Sequence, residues 1–210
     1  MSHLMKRRTT ILIILALVGI TSVALFSLLG NKNNQEDNII VRSDSAWIYP
    51  FSSAEELLND SNVHLVVEAT VLPNTRPYQI INEEPLRIVL DRTLTDIRVE
   101  RIFKDTRGGV IVNQTLPIIE TTSIKQDKEL GKTVETPLEF YRKAETGLKY
   151  LFLLHWNSKE QKYHIAAAHY GKYNLDNKDG REIAVEKDYE PYGKIKKEMV
   201  ANYRSILSKN

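Results

Sequence analysis

The sequence predicts a mainly β (α+β) protein: a small, closed or nearly closed antiparallel β-barrel with a short N-terminal helix and a C-terminal helix, preceded by a transmembrane helix. Three observations predict it. A twenty-residue run without a charge, Ile11 to Gly30, follows the basic triplet Lys6, Arg7 and Arg8. At least six β-patterned runs come after it, separated by polar turns. The chain then ends in apolar residues at helical spacing.

The uncharged run spans ~30 Å as a helix, the thickness of a bilayer core. Basic residues precede it and the polar stretch "NKNNQEDN" follows it, so the positive-inside rule places the N-terminus in the cytoplasm and the rest outside. "SVA" at Ser22–Ala24 is the alternative, a signal-peptidase site. The apolar run continues through Leu25, Phe26, Leu28 and Leu29, which favours an uncleaved anchor. The expected organisation is a basic tail over residues 1–10, an anchor over 11–30, a tether over 31–39 and an extracytoplasmic domain over 40–210.

Composition restricts the domain's chemistry. The absence of cysteine removes disulfides, thiolate nucleophiles and Cys-zinc sites. The chain carries 29 bases and 27 acids; without Lys6, Arg7 and Arg8 the bases number 26, so the remainder is near neutral. A nucleic-acid binder needs a basic field, and no nucleic-acid partner is expected.

"SSAEELLND" reads as a capped helix, with Ser52 or Ser53 at the cap and Glu55 or Glu56 three residues on. Val63–Leu72 is a strand and "NTRPYQIINEEP" a loop between prolines. Leu86–Asp105 is one long strand or two joined by a bulge, broken by "RGG". Val110–Ile119 is the next strand, and residues 120–137 are a long loop or an edge hairpin. "LKYLFLLHW" and "KYHIAAAHY" make a hairpin. "YNLDNKDGREIAV" makes a second, turning at Asp179–Gly180. Ile195, Met199, Tyr203, Ile206 and Leu207 form the stripe of the last helix, which Pro191 starts.

"AEELLNDSN", "LVVEATV", "TDIRVERIFKD" leading to "GGVIV", "GLKYLFLLHW" and "YGKYNL" follow one another in an order that resembles uncharacterised exported or membrane-anchored proteins of Gram-positive bacteria. The pattern covers about residues 52–175. The resemblance implies an OB-like β-barrel at the cell envelope and carries no catalytic residues. The chain departs from the pattern where Asp105 follows Lys104 and where Glu68 occupies a position usually held by a small residue.

Three of the five histidines, His155, His164 and His169, fall in one stretch. With "SKEQ" as the turn, His155 faces His164 across the hairpin and Trp156 faces Tyr163. Opposed Cβ atoms lie ~5 Å apart, so His155 and His164 are the candidate metal ligands. His169 has the other parity and falls opposite Tyr150. Zinc normally wants a third ligand, for which Glu68 and Glu139 are the candidates. No nucleophile elbow, His-Glu-x-x-His, P-loop or dinucleotide fingerprint occurs, so no catalytic residue and no cofactor is assigned. The tyrosines and phenylalanines of the C-terminal half are expected in the core rather than on a stacking platform.

The reading is a single-pass membrane protein whose exported domain is a non-catalytic binding module. Its partners are the membrane, through residues 11–30, and an envelope protein or polymer. The alternatives are a metal-dependent enzyme or metal-binding protein using His155 and His164, and an accessory subunit of a membrane complex.

Overall fold

The computed structural model describes residues 39–41, 51–82, 88–129, 131–138 and 140–207. The anchor expected over 11–30 lies outside them, as does nearly all of the tether. Among the described residues no helix is long and apolar enough to cross a membrane. Strand β1 (Ile39–Val41) straddles the boundary between two compact units, Met1–Ile40 and Val41–Asn210. The remaining strands and the helices among the described residues belong to the second unit.

Helix α1 (Ala54–Asn59) forms where the capping signature sits. The Ser53 hydroxyl accepts from the Glu56 N–H at 3.1 Å, and the Glu56 carboxylate reaches back to the Ser52 N–H at 2.7 Å. The reciprocal bonds satisfy end groups that a six-residue helix cannot satisfy itself.

Two long strands follow, β2 (Leu65–Asn82) and β3 (Ile88–Asp105). The proline-flanked stretch read as a loop is therefore strand up to Asn82. The β2–β3 register slips between Val71 and Thr75, around Pro73, and Pro77 pairs with Thr93. Pairing between β2 and β7 (Lys149–Asn157) ends at Thr70, so Pro77 lies on an open edge where its missing N–H deprives no neighbour.

Strand β4 (Thr115–Glu120) starts later than Val110, because Gly108, Gly109 and Asn113 all take positive φ. Residues 122–137 form the hairpin alternative: β5 (Thr122–Asp127) against β6 (Lys132–Pro137). Strand β7 then turns into β8 (Lys162–Ile165). β8 stops at Ile165. Ala167 and Ala168 adopt left-handed backbone at φ 51° and 48°, a 3-10 turn runs over Ala168–Gly171, and β9 (Lys172–Asn174) returns beside β7.

The second hairpin does not form. Asp179 instead caps helix α2 (Gly180–Asp188), accepting the N–H groups of Arg181 at 3.1 Å and Glu182 at 3.0 Å. Helix α3 (Glu190–Leu207) ends the described chain, with Ile195 and Met199 buried.

The sheet pairs in the order β2–β3–β4–β8–β7, and β7 pairs back to β2. All of these pairings are antiparallel except β4–β8. One face of this ring carries a core of Leu65, Val67, Ile97, Val99, Ile118, Tyr150, Phe152 and Leu154. The other face of β2 and β7 carries Val66, Leu151 and Leu153, which pack under the three helices with Leu57, Val185, Ile195 and Met199. The aromatics Tyr141, Tyr150, Phe152, Tyr163, Tyr170 and Tyr173 are buried, as expected of core residues, while Trp156 is half-buried.

Gly171 marks the tightest point. A Cβ there would sit inside contact distance of the Ala166 carbonyl oxygen and 2.7 Å from Ile165 Cγ2. Gly171→Ala should therefore lower the urea midpoint, at the upper end of the roughly 1–3 kcal/mol typical of overpacking. Gly180→Ala, where a Cβ meets nothing within 4 Å, should be neutral or slightly stabilising.

Candidate functional site

Alternation along β7 places the histidines. Tyr150, Phe152 and Leu154 face the ring core, so Leu151, Leu153 and His155 share the opposite face. The helices cover Leu151 and Leu153, and His155 belongs to neither apolar cluster. The register is the expected one: His155 opposes His164 and Trp156 opposes Tyr163.

A third imidazole, not singled out in the sequence, arrives from the start of the strand expected over Val63–Leu72. His64 immediately precedes β2, and its N–H bonds the Leu154 carbonyl at 2.9 Å. Its ring lies 5.1 Å from that of His155. His64 Nδ1 accepts from the Trp156 backbone N–H at 3.2 Å, so the neutral ring carries its proton on Nε2. His155 Nδ1 is 3.3 Å from the Asn62 carbonyl, to which it donates, leaving a lone pair on Nε2. His164 Nε2 is 3.0 Å from Glu160 Oε2. The pKa of His64 is lowered by partial burial and by His155, Arg107 and Lys104, while a hydrogen bond to the Asn62 backbone opposes the shift. That of His164 is lowered by burial, with Glu160 opposing the shift.

The three rings do not share a coordination point: a neutral His64 that accepts on Nδ1 has no lone pair at Nε2. Among the described residues no group of three or more histidines and carboxylates is placed to hold a metal ion. Glu68 instead lies 3.1 Å from Lys149 and accepts from the Tyr203 hydroxyl at 2.8 Å, while Glu139 lies outside the described residues.

Arg107 completes the rim. Its guanidinium sits 4.3 Å from the centre of the Trp156 ring and lies near the Tyr163 hydroxyl, whose raised pKa it opposes. Trp156 and Tyr163 meet edge to face at 4.9 Å. On the other side of the β7–β8 turn, partial burial and the nearby Glu160 raise the Tyr78 pKa, and the Lys162 ammonium lies 5.8 Å from the Tyr78 ring. The β2–β3 arm and the β7–β8 turn thus meet beside the histidines.

His169 lies elsewhere. The turn after Ile165 takes it away from Tyr150, which pairs instead with Asn174. It is 4 % exposed, among Phe140, Tyr170, Tyr189 and Tyr192 at centroid distances of 4.2–6.0 Å. It also lines a cleft with Lys172, Glu182 and Arg142 whose free space is about 10 Å³, room for about one water.

Behind that cleft is a buried ion cluster. Lys172 Nζ is 3.3 Å from Asp179 and 3.5 Å from Glu182, and Lys196 Nζ is 3.0 Å from Glu182 and 3.1 Å from Glu186. Burial alone would raise the Asp179 pKa, but Lys172, the Glu182 N–H and the Tyr150 hydroxyl together hold it low. Lys196 is only 4 % exposed, held by Glu182 and Glu186, which lie one turn apart on α2. The two lysines and three carboxylates fasten the helices to the sheet.

No protein-family model matches the chain, and no curated protein matches it in sequence. The site therefore rests on geometry.

Burial holds the His169 pKa at about 4, against an ordinary 6.5. Between those values the unfolded state binds the proton and the folded state does not. Stability should fall as pH drops from about 6.5 to about 4, by about 3 kcal/mol from this group. Urea titrations at pH 7.5 and 4.5 should show this loss in the wild type and a correspondingly smaller one in His169→Gln.

Proposed function

We propose that the chain is a single-pass membrane protein with a cytoplasmic N-terminus, whose extracytoplasmic domain is an OB-like β-barrel that binds an envelope component without catalysis. The charge pattern around Ile11–Gly30 supports the topology. The strand ring supports the barrel: its first strand, β2, pairs with both the second and the fourth, and its third and fifth run parallel. In such barrels the loops between strands one and two and between four and five flank the ligand. Here those are the β2–β3 arm and the β7–β8 turn. Their contact through Tyr78, Glu160 and Lys162, beside the imidazole rim, is the observation that carries the binding reading.

Protease shaving of intact cells tests topology. A tag at the C-terminus should be removed from outside, and a protected tag overturns the orientation. Crosslinking of the full chain in its native envelope tests binding. The wild type should yield a specific adduct that Lys162→Glu reduces about tenfold, a loss on the scale of one charged contact. Equal adducts from both proteins would move the binding surface away from the β7–β8 turn.

A further inference from the structure

The segment between β3 and β4 holds two apolar side chains outward. Ile111 is 66 % exposed and its neighbour Val112 is 49 % exposed. The backbone around them is fastened on both sides. The Asp105 carboxylate accepts the N–H groups of Arg107 at 3.2 Å, Gly108 at 2.9 Å and Val110 at 3.3 Å. Asn113 donates to the Val99 carbonyl at 2.7 Å, and Val99 donates to the Gln114 carbonyl at 3.0 Å. The Ile111 N–H meets Gln114 Oε1 at 3.1 Å, and the Ile111 carbonyl accepts the Gln114 N–H at 3.3 Å. Val110 packs against the ring core. With Val110 turned in and both flanks bonded, Ile111 and Val112 are fixed at the tip.

Other exposed apolar residues among those described form no such pair. Ile81 pairs with Val89 and Leu90 with Ile80, so Ile81 and Leu90 project from opposite faces of the β2–β3 arm. Phe140 stacks on the Tyr189 ring at 4.6 Å. Single exposed apolar residues are ordinary, whereas two adjacent ones on a fastened tip call for an occupant.

Size decides which occupant fits. A stable protein interface buries about 800 Å² per partner, far more than two side chains offer. The apolar boundary of a bilayer accepts a small insertion, because each aliphatic side chain leaves water independently. Two such side chains would hold a free protein there only weakly. Chain connectivity changes that. Even fully extended, the twenty residues 31–50 reach no more than about 70 Å beyond Gly30. Confinement within that distance gives an effective concentration on the order of millimolar, at which a weak contact is populated. The groups at the base of the loop suit the same occupant. Arg107 is exposed with its guanidinium 4.3 Å from the half-buried Trp156 ring, and indole and basic groups favour the headgroup level. Asp105, the acid beside them, is turned to backbone N–H groups.

We infer that the Ile111–Val112 tip docks into the surface of the bilayer that carries this chain's own anchor. This rests on the reading of residues 11–30 as that anchor, and it gives the domain a second point of attachment. The loop after β3 then faces lipid, and the start of β3, where Asp91 pairs with Lys125, points away from it.

The chain has no cysteine, so one substitution carries one nitroxide. The test places the full chain, labelled at Val112→Cys, in nanodiscs of phosphatidylcholine and phosphatidylglycerol. Collisions with oxygen, which concentrates in lipid, are compared with collisions with a water-soluble nickel chelate. The Val112 label should favour oxygen, and a label at Lys128→Cys, on the exposed β5–β6 turn, should favour the chelate. Adding Ile111→Ser to the Val112-labelled chain should lower the docked-to-free ratio about tenfold, the loss of one aliphatic insertion. Ile111→Leu should retain the ratio. Both variants should keep the parent's Tm, because Ile111 is exposed. A Val112 label as open to the chelate as the Lys128 label overturns the docking, and so does an undiminished ratio in Ile111→Ser. If the docking fails while the labelled chain enters nanodiscs, only this inference falls. A chain that does not enter nanodiscs removes the anchor reading and the inference together.

Discussion

The ammonium of Lys172 governs how sheet and helices fit together. It is 3 % exposed, lies 4.5 Å from the Tyr150 ring and is flanked by Asp179 and Glu182. Removing one partner from a buried ion pair typically costs ~3–5 kcal/mol, so a lysine at this position requires α2 to dock with both acids in place. Asp179 does three things at once: it caps α2, balances Lys172 and accepts the Tyr150 hydroxyl at 2.9 Å. Glu182 extends the cluster to Lys196 on α3 and to the Asn174 N–H on β9 at 2.8 Å. Helix start, sheet edge and C-terminal helix are therefore bound by one set of charges.

That docking decides which part of β7 meets solvent. Leu151 and Leu153 need an apolar cover, and α2 and α3 supply it only because the ion cluster holds them there. The face continues to His155, where the helical layer gives way to His64 and the Asn62 carbonyl. The rim is the end of a face whose other residues are already buried, and its polarity follows from the same alternation that makes Phe152 and Leu154 core.

Much of this was legible where the signals are local. The Ser53–Glu56 cap, the Pro191 helix start and the His155–His164 register were readable because a cap, a fixed φ and a strand parity are properties of neighbouring residues. The errors have physical causes as well. Asp179–Gly180 matches both a hairpin turn and a helix cap. Glu182 three residues on distinguishes the two, since it suits the first turn of a helix. Ala167 and Ala168 give no sign of left-handed backbone, so the exit of His169 from the strand could not be seen. Pro77 suggested a loop, and only the open edge of β2 explains why a strand tolerates it. The site was half visible: His155 and His164 were identified, but His64 and Arg107 reach them through long-range pairing and carry no local signature.

The two histidine environments then follow from where the acids went. Glu120 accepts from Tyr141 at 2.6 Å and the Ala144 N–H at 2.8 Å, Glu135 pairs with Arg181 at 2.6 Å, and Asp179 and Glu182 hold Lys172. These carboxylates serve buried structure near the Tyr150 end of β7. His155 lies five residues along that strand, roughly 17 Å away. A domain that is nearly neutral as a whole is thus uneven locally, because acids that stabilise the helix-packed end cannot also compensate Arg107, Lys104 and His64 at the rim. His169, buried among rings, stays neutral at the first end. His64, its pKa lowered first by partial burial and then by His155, Arg107 and Lys104, marks the second. The acids of the helix-packed end are thus bound into buried structure, while at the other end Asp105 and Glu160 stand beside Arg107 and His164 near the surface.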